Sequence, residues 1–390
     1  MIETADVIVV GAGVQGASLA FHLARRGQRV IVLERGSIAA GATGRSSGFV
    51  RMHYDLASES YLAWASYPYF RDWQGRVGAG DCSFVNTGFI QLVPPELSAS
   101  LRANVANQQA LGVGTQLIDA AEVARIIPGA VVDDIEVAAW EPDSGYADPS
   151  GSAAGFLAAA RQHGARLVTG CEVRSLITNG ERVAGVETSR GRFAAPTVAL
   201  VNGAWAPPIA KTVGLTLPVE PWRHDTAYFG LPDGHNPRFP VVIDEGNGAY
   251  WRPEGSELML VGLHAGNEFG GDPDRPMAAM PDETTVDMIT RVCARLPWME
   301  QGTLRTAHGG QDGITPDQHP IIGPAGPDGL WLSVAFSGTG FKTAPAVGCA
   351  LTEWMLDGAP KLADITLYHL DRFAEGALIA GEHPYGHLWR

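Results

Sequence analysis

The stretch Val7-Ile8-Val9-Val10 followed at once by Gly11-Ala12-Gly13-Val14-Gln15-Gly16 limits the fold of this chain more than any other feature. Four consecutive β-branched residues suit a strand buried on both faces of a parallel sheet. The glycine turn leads into a helix predicted over residues 14–26, with Ala17, Ala20, Phe21 and Ala24 on one face and Gly27 as its stop. A second buried strand, Arg29-Val30-Ile31-Val32-Leu33-Glu34, completes a βαβ unit. Such a unit commits the chain to an α/β architecture with a ligand crevice at the strand ends.

A Gly-x-Gly-x-x-Gly pattern alone is weak evidence, but here strand, helix and a terminal acid surround it. Gly11 makes the tight turn, Gly13 lets the backbone approach a pyrophosphate, and Gly16 lets helix and strand pack. Glu34, 23 residues after Gly11, is placed to accept ribose hydroxyls. An acid there favours FAD or NAD over NADP, whose 2′-phosphate it would repel.

Composition removes several other function classes. At 390 residues the chain has room for about two to three domains. The 45% hydrophobic share exceeds what disordered chains carry. With 28 Lys and Arg against 42 Asp and Glu, a net charge of −14 repels a nucleic acid backbone. The four cysteines, Cys82, Cys171, Cys293 and Cys349, form no CxxC pair or zinc spacing, which suggests reduced thiols and a cytoplasmic location. The apolar run before Gly11 is too short for a membrane span or signal peptide, and Glu3 and Asp6 precede it. His383 and His387 have metal-like spacing, but Pro384 and Gly386 break the helix such a pair needs, so no metal is expected.

Further along, strand signals at residues 167–173 and 198–201 point to a return to the first domain. Residues 219–304 alternate aromatic, apolar and charged side chains, as an antiparallel sheet with one covered face does. The C-terminal part reads as a strand over residues 330–335, a glycine-rich turn, and an apolar helix over residues 346–356 ended by Gly358.

Four segments carry a resemblance to a known family: Glu34-Arg35-Gly36 with Gly41-Ala42-Thr43-Gly44-Arg45-Ser46-Ser47-Gly48, Val201-Asn202-Gly203-Ala204-Trp205-Ala206, Thr315-Pro316-Asp317-Gln318-His319-Pro320-Ile321-Ile322-Gly323, and Phe336-Ser337-Gly338-Thr339-Gly340-Phe341-Lys342. In this order and spacing the chain resembles the FAD-dependent D-amino-acid oxidase superfamily, and within it the sarcosine oxidase and dimethylglycine dehydrogenase branch. The resemblance implies a Rossmann-like FAD-binding domain of the GR2/DAO type in residues 1–80, 145–218 and 305–390. A mixed-sheet α+β substrate domain would occupy residues 81–144 and 219–304. It further implies FAD contacts from Gly11, Gly13, Val14, Gln15, Gly16, Glu34, Arg35, Thr43, Arg45, Ser46, Ser47, Gly48, Val173, Asn202, Gly203, Trp205, Gly338, Thr339, Gly340, Phe341 and Lys342.

The same resemblance assigns the chemistry. Gly338 to Lys342 would lie against the pyrimidine side of the flavin, where backbone N–H groups and a helix N-terminus stabilise the charge left by reduction. Lys342 would also bind a substrate carboxylate, and Arg51 would sit close to the flavin. Tyr54 replaces the second carboxylate-binding arginine of sarcosine oxidases, so the carboxylate falls to Arg51, Arg252 or Lys342. Gly262-Leu263-His264 matches a Gly-aromatic-His stretch, with His264 a pocket histidine and Leu260 where oxidases carry an oxygen-activating lysine. Tyr250 is expected to face the pocket, since only one of Tyr250 and Trp251 can do so on a strand. Gly310 takes the position of the flavin-linking cysteine, which implies non-covalent FAD, while His319 is expected to order backbone. The implied reaction oxidises the C–N bond of a secondary, N-substituted or other amino acid or amine, with hydride passing to flavin N5 and an imine that water hydrolyses. Electrons would pass to oxygen or another acceptor, with a dehydrogenase favoured by Leu260. Alternatives are a D-amino acid or 2-hydroxy acid dehydrogenase, a flavin-bearing subunit of a hetero-oligomer, or a non-catalytic dinucleotide-binding sensor. Homo- or hetero-oligomers both fit.

Overall fold

The computed structural model describes residues 3–234, 239–264, 268–275 and 279–385. The β-branched runs form a six-stranded sheet in the order Arg166–Val168, Val30–Leu33, Val7–Val10, Thr197–Leu200, Leu330–Val334, Ile321–Pro324. The first five are parallel and the last runs antiparallel to its neighbour. Val7–Val10 and Val30–Leu33 are buried at every position, as a sheet covered on both faces requires.

One face is covered by helix Val14–Arg25, which packs against helices Pro149–Gln162 and Gly340–Asp357. Two close approaches seat it. A Cβ on Gly16 would lie 2.1 Å from the Gly11 carbonyl oxygen, and one on Gly348 would lie 2.3 Å from Ser18 Oγ. Ser18 in turn donates to the Ala344 carbonyl at 2.7 Å. These contacts bring the N-termini of both helices to the same crevice at the strand ends.

Two smaller sheets flank this layer. One joins Glu3–Thr4, Gly191–Ala194, Arg182–Thr188 and Val173–Asn179; the other joins Phe49–Val50, Gly145–Tyr146 and Val85–Asn86. The largest sheet has nine strands, from Gln116–Ile118 at one edge through Val241–Asp244, Ala249–Glu254, Leu258–Leu263 and Glu220–Gly230 to Thr303–Ile314. Its covered face packs Ile90, Val242, Trp251, Met259 and Val261 against Met288 and Val292 of helix Asp282–Arg295. Arg295, fully buried, holds that helix to the sheet through Asp244 at 2.8 Å and Asp134 at 2.6 Å.

Three local expectations shift. The strand expected over residues 167–173 is two, Arg166–Val168 and Val173–Asn179, because the chain turns at Gly170 (φ 60°) and the pieces enter different sheets. Strand Thr303–Ile314 is assigned by sequence to the FAD domain from residue 305, yet its ladder runs along Glu220–Gly230, from Gly230 opposite Thr303 to Glu220 opposite Ile314. The change of sheet therefore falls after Ile314. The last long helix starts at Gly340, earlier than residue 346, and includes Pro345, whose missing N–H falls in the second turn.

Gly348→Ala is expected to lower stability to urea by about 1–3 kcal/mol, since the added methyl must push two helices apart. An unchanged midpoint would show that the contact with Ser18 yields freely.

Candidate active site

A cavity of about 540 Å³ opens where the two helix N-termini meet the large sheet. Its walls run from Glu34, Cys171 and Trp205, past the glycine turn and Ser333 to Phe336, to His224, Tyr250, Gly310 and Asp312 at the other end. Of the sequence-predicted cofactor residues, Gly11, Gly13, Val14, Gln15, Glu34, Arg35, Thr43, Arg45, Ser46, Ser47, Val173, Asn202, Gly203, Trp205, Gly338, Gly340 and Phe341 line it. Gly16, Gly48, Thr339 and Lys342 stand behind the wall. Gly16 serves the helix–strand contact, and Gly48 (φ 72°) leaves no space for a Cβ, which would sit 2.3 Å from the Ala147 oxygen. The Thr339 hydroxyl donates to Phe336 O at 2.8 Å and so braces the turn.

The walls fit a dinucleotide. Gly13 caps helix Val14–Arg25 with no side-chain hydrogen bond, which leaves helix-end N–H groups for an anion. A Cβ there would meet Thr43 Oγ1 at 3.0 Å, and that oxygen accepts the Val14 N–H at 3.0 Å. Glu34 accepts the Ala12 N–H at 2.9 Å and the Gly36 N–H at 2.7 Å, so its carboxylate is fixed at the cavity edge with lone pairs to spare for hydroxyls. Beside it, Arg35 pairs with Asp274 and lies 4.9 Å over the Trp205 ring, whose indole also donates to Asp274 at 2.8 Å. A Cβ at Gly310 would fall 2.5 Å from Arg45 Cβ, so the bare backbone here is what lets Arg45 reach the cavity.

At the opposite end the backbone is strained. Ala335 (φ 57°), Ser337 (φ 49°) and Gly338 (φ 88°) form the turn before helix Gly340–Asp357, and two of the three are not glycine. Asp312 holds the turn by accepting the Gly338 N–H at 2.9 Å. Lys342 Nζ donates to the Gly338 carbonyl at 3.3 Å and lies 5.6 Å over the Tyr54 ring. Burial first, and then the charge of Arg51, hold its amine well below the ordinary lysine range.

Arg51 is only 4% exposed, and its Nε has no hydrogen-bond acceptor among the described residues. Its guanidinium lies 4.3 Å over Tyr54 and 5.4 Å over Phe89, an aromatic cradle that fixes the fork without neutralising it. Glu141 lies near enough to interact with Arg51 through space. It is spent on the Met52 N–H at 3.0 Å and the Ser144 hydroxyl at 2.5 Å, and burial raises its carboxyl. His53, pushed down to about 3 by burial and then by Arg51, is held between Gln108 at 3.1 Å and the Tyr385 hydroxyl at 2.6 Å.

Tyr250 faces the cavity and Trp251 the sheet core, as strand alternation predicts, and Gly262 makes space for the Tyr250 ring. His264 is not in the cavity wall; its Nδ1 lies 3.2 Å from Glu245, whose other oxygen accepts from Gln91 at 2.9 Å. Arg252 departs from its expected place among the substrate contacts. Its donors go to Ser47 O at 2.6 Å, Pro253 O at 2.8 Å and Glu254 at 2.5 Å, so it joins the large sheet to the cofactor loop instead. His319 sits 2.9 Å from Glu59 in the core, next to the bidentate Arg372–Asp317 pair that ties down the Thr-Pro-Asp turn. His383 is a tail residue whose carbonyl accepts from Asn104, and His387 lies outside the described residues.

Sequence reading missed Asp312, Asp274, Glu141 and His224. An acid set among glycines in Gly309-Gly310-Gln311-Asp312-Gly313 was a usable signal, three residues upstream of the quoted Thr-Pro-Asp segment. Asp274 pairs with Arg35 across 239 positions, which no local pattern marks. Glu34→Ala is expected to weaken FAD binding about ten- to hundredfold, read by flavin fluorescence on dilution, since hydrogen bonds to a charged group carry about 1.5–3 kcal/mol. Unchanged retention would remove Glu34 from the binding set.

Comparison with known proteins places this geometry in a family. The chain is 25% identical over 384 residues to mitochondrial sarcosine dehydrogenase of Mus musculus, covering 95% of this chain and 42% of that protein. It is 28% identical over 388 residues to sarcosine oxidase subunit beta of Rhizobium meliloti, covering 96% and 89%. It thus spans less than half the length of the mitochondrial relative and most of the bacterial subunit. Among solved structures, L-proline dehydrogenase from P. horikoshii superposes with a TM-score of 0.88 at 26% identity, over 96% of this chain and 99% of that one. Residues 6–354 match the DAO family, described as FAD dependent oxidoreductase, and the chain belongs to that family.

Proposed function

We propose that this chain oxidises the C–N bond of an amino acid, with secondary or N-substituted amines as the first class to test. The carrying observation is the buried Arg51 guanidinium, unpaired at Nε, with Lys342 beside it around one tyrosine ring. A buried guanidinium is costly without an anion, and a carboxylate suits its fork while restoring the proton of the neighbouring lysine amine. FAD, when bound, supplies the acceptor for the two electrons and hydrogen leaving the substrate carbon.

The chain's own groups do the rest. Arg51 and Lys342 hold the carboxylate, Tyr54 supplies the floor under both cations, and Tyr250 closes the side facing the large sheet. His264 is too far into the sheet, paired with Glu245, to touch the reacting atoms, and acts by holding that wall. The reading takes FAD as non-covalent at position 310, where no side chain is available to attach it. Leu260 packs with Phe49, Tyr228 and Tyr250, so this position offers no cation to lower the barrier to oxygen reduction. This favours an acceptor other than oxygen, with oxygen the alternative. The match to 89% of an oxidase subunit favours one second reading, in which a partner chain passes the electrons on.

The test is anaerobic mixing of the FAD-loaded protein with N-methyl amino acids, proline derivatives, D-amino acids and 2-hydroxy acids. Bleaching by an amino acid class is expected, with Arg51→Met raising the apparent Kd ten- to hundredfold. Bleaching by hydroxy acids alone would overturn the amine assignment, and bleaching without turnover would indicate the missing partner.

The pH dependence should split. Substrate reacts as the free amine, so the limiting rate is expected to rise with pH until the bound amine is deprotonated. Lys342 is neutral in the free site over part of the range where an exposed lysine is charged, and an anion restores its proton. Carboxylate binding should therefore take up a proton and weaken as pH rises, and Lys342→Met should abolish that proton uptake. Affinity independent of pH would contradict this role.

A further inference from the structure

Asp312 lines the same cavity as Glu34, Arg35 and Trp205, and it is tied through the Gly338 N–H to the turn before helix Gly340–Asp357, the segment that the family resemblance sets against the flavin. It lines the cavity directly, whereas Lys342 does not. Its carboxylate has two fixed hydrogen bonds, from the Gly313 N–H at 2.7 Å and the Gly338 N–H at 2.9 Å. Four lone-pair directions with two used leave room for a proton on the cavity side. From these positions we propose that Asp312 takes up a proton when the bound flavin is reduced, and so couples its potential to pH.

Two-electron reduction leaves negative charge on the flavin ring, and a carboxylate in the same low-dielectric enclosure repels it. Protonating that carboxylate removes the repulsion. The electrons come from the reductant; one proton from solvent joins the flavin and a second joins an Asp312 oxygen, so charge and atoms balance. Burial already lifts this carboxyl above the ordinary aspartate range, against the pull of the two N–H bonds and Lys342.

Other charges face this group from each packed element. Helix Gly340–Asp357 contributes Lys342, itself acted on by Arg51 and Glu59. The turn Ala42–Arg45 brings Arg45 against Gly310, two residues away on the same strand, which also carries His308. The neighbouring strand places Trp222 opposite Asp312, followed by Arg223, His224 and Asp225. Arg223 and Asp225 pair with each other at 3.0 Å, and burial pushes His224 down to about 3.

The experiment is spectroelectrochemical titration of the FAD-loaded protein from pH 6 to 9. Each proton taken up per two electrons adds about 30 mV per pH unit to the slope. The wild type is expected to show a segment near 60 mV per pH unit. Asp312→Asn, which keeps an acceptor for Gly338, should fall to about 30 mV with a more positive potential, while Lys342→Met keeps the steep segment. A wild-type slope near 30 mV throughout, an Asp312→Asn slope equal to wild type, or loss of the steep segment in Lys342→Met would overturn the proposal. Should Asp312→Asn fail to hold FAD, Asp312→Glu decides, since a moved carboxyl must shift the pH at which the slope changes; an unshifted break overturns it.

Discussion

The close seating of helix Val14–Arg25 is the constraint on which the rest of the structure depends. Glycine at 16 and at 348 lets that helix touch the first turn on one side and helix Gly340–Asp357 on the other, with no space for a methyl at either place. Gln15 then reaches the Gly340 carbonyl at 2.7 Å, so the two helix N-termini become one continuous rim. One end of the rim is the Gly13-capped helix start, suited to an anion, and the other carries the strained turn from Ala335 to Gly338. The large sheet closes the rim from above through Tyr250, Asp312 and the Arg252 tie to Ser47.

Charge is distributed along this cavity in a way that matches its two tasks. Glu34, the proposed partner of the ribose hydroxyls, is held at the cavity edge by two backbone N–H groups. Behind the cavity wall, Arg51 and the Lys342 amine stand around Tyr54, and the carboxyls of Glu141 and Asp312 are raised by burial. A guanidinium without an acceptor at Nε and acids tending to neutrality suit the proposed arrival of an anion and electrons together. The Arg372–Asp317 and Arg295–Asp244 pairs, fully buried, fix the elements behind these groups. Removing one partner of such a pair leaves an uncompensated charge, which is why they stiffen the frame.

The dinucleotide unit was legible because its requirements are local: a buried strand, a turn only glycine can make, a helix start and an acid at the next strand end. The same holds for the alternation that turns Tyr250 to the cavity and Trp251 to the core. What sequence reading could not see depends on register between distant segments. Strand Thr303–Ile314 belongs with the large sheet because its ladder matches Glu220–Gly230, and this also decides that Asp312 faces the cavity. Arg252 reads as a free cation in sequence, yet one acceptor from the Ser47 loop and two from its own strand use its donors. His264 resembles a pocket histidine until Glu245, from a neighbouring turn, draws it into the sheet wall.

The central claim is that Arg51 and Lys342 receive a substrate carboxylate beside the flavin. It is tested most directly by a crystal structure of the FAD-loaded protein with a non-oxidisable carboxylate such as acetate or benzoate. The account predicts a carboxylate engaged by the Arg51 fork and the Lys342 amine, over the Tyr54 ring. A carboxylate bound elsewhere, with Arg51 turned to a protein acceptor, would contradict it.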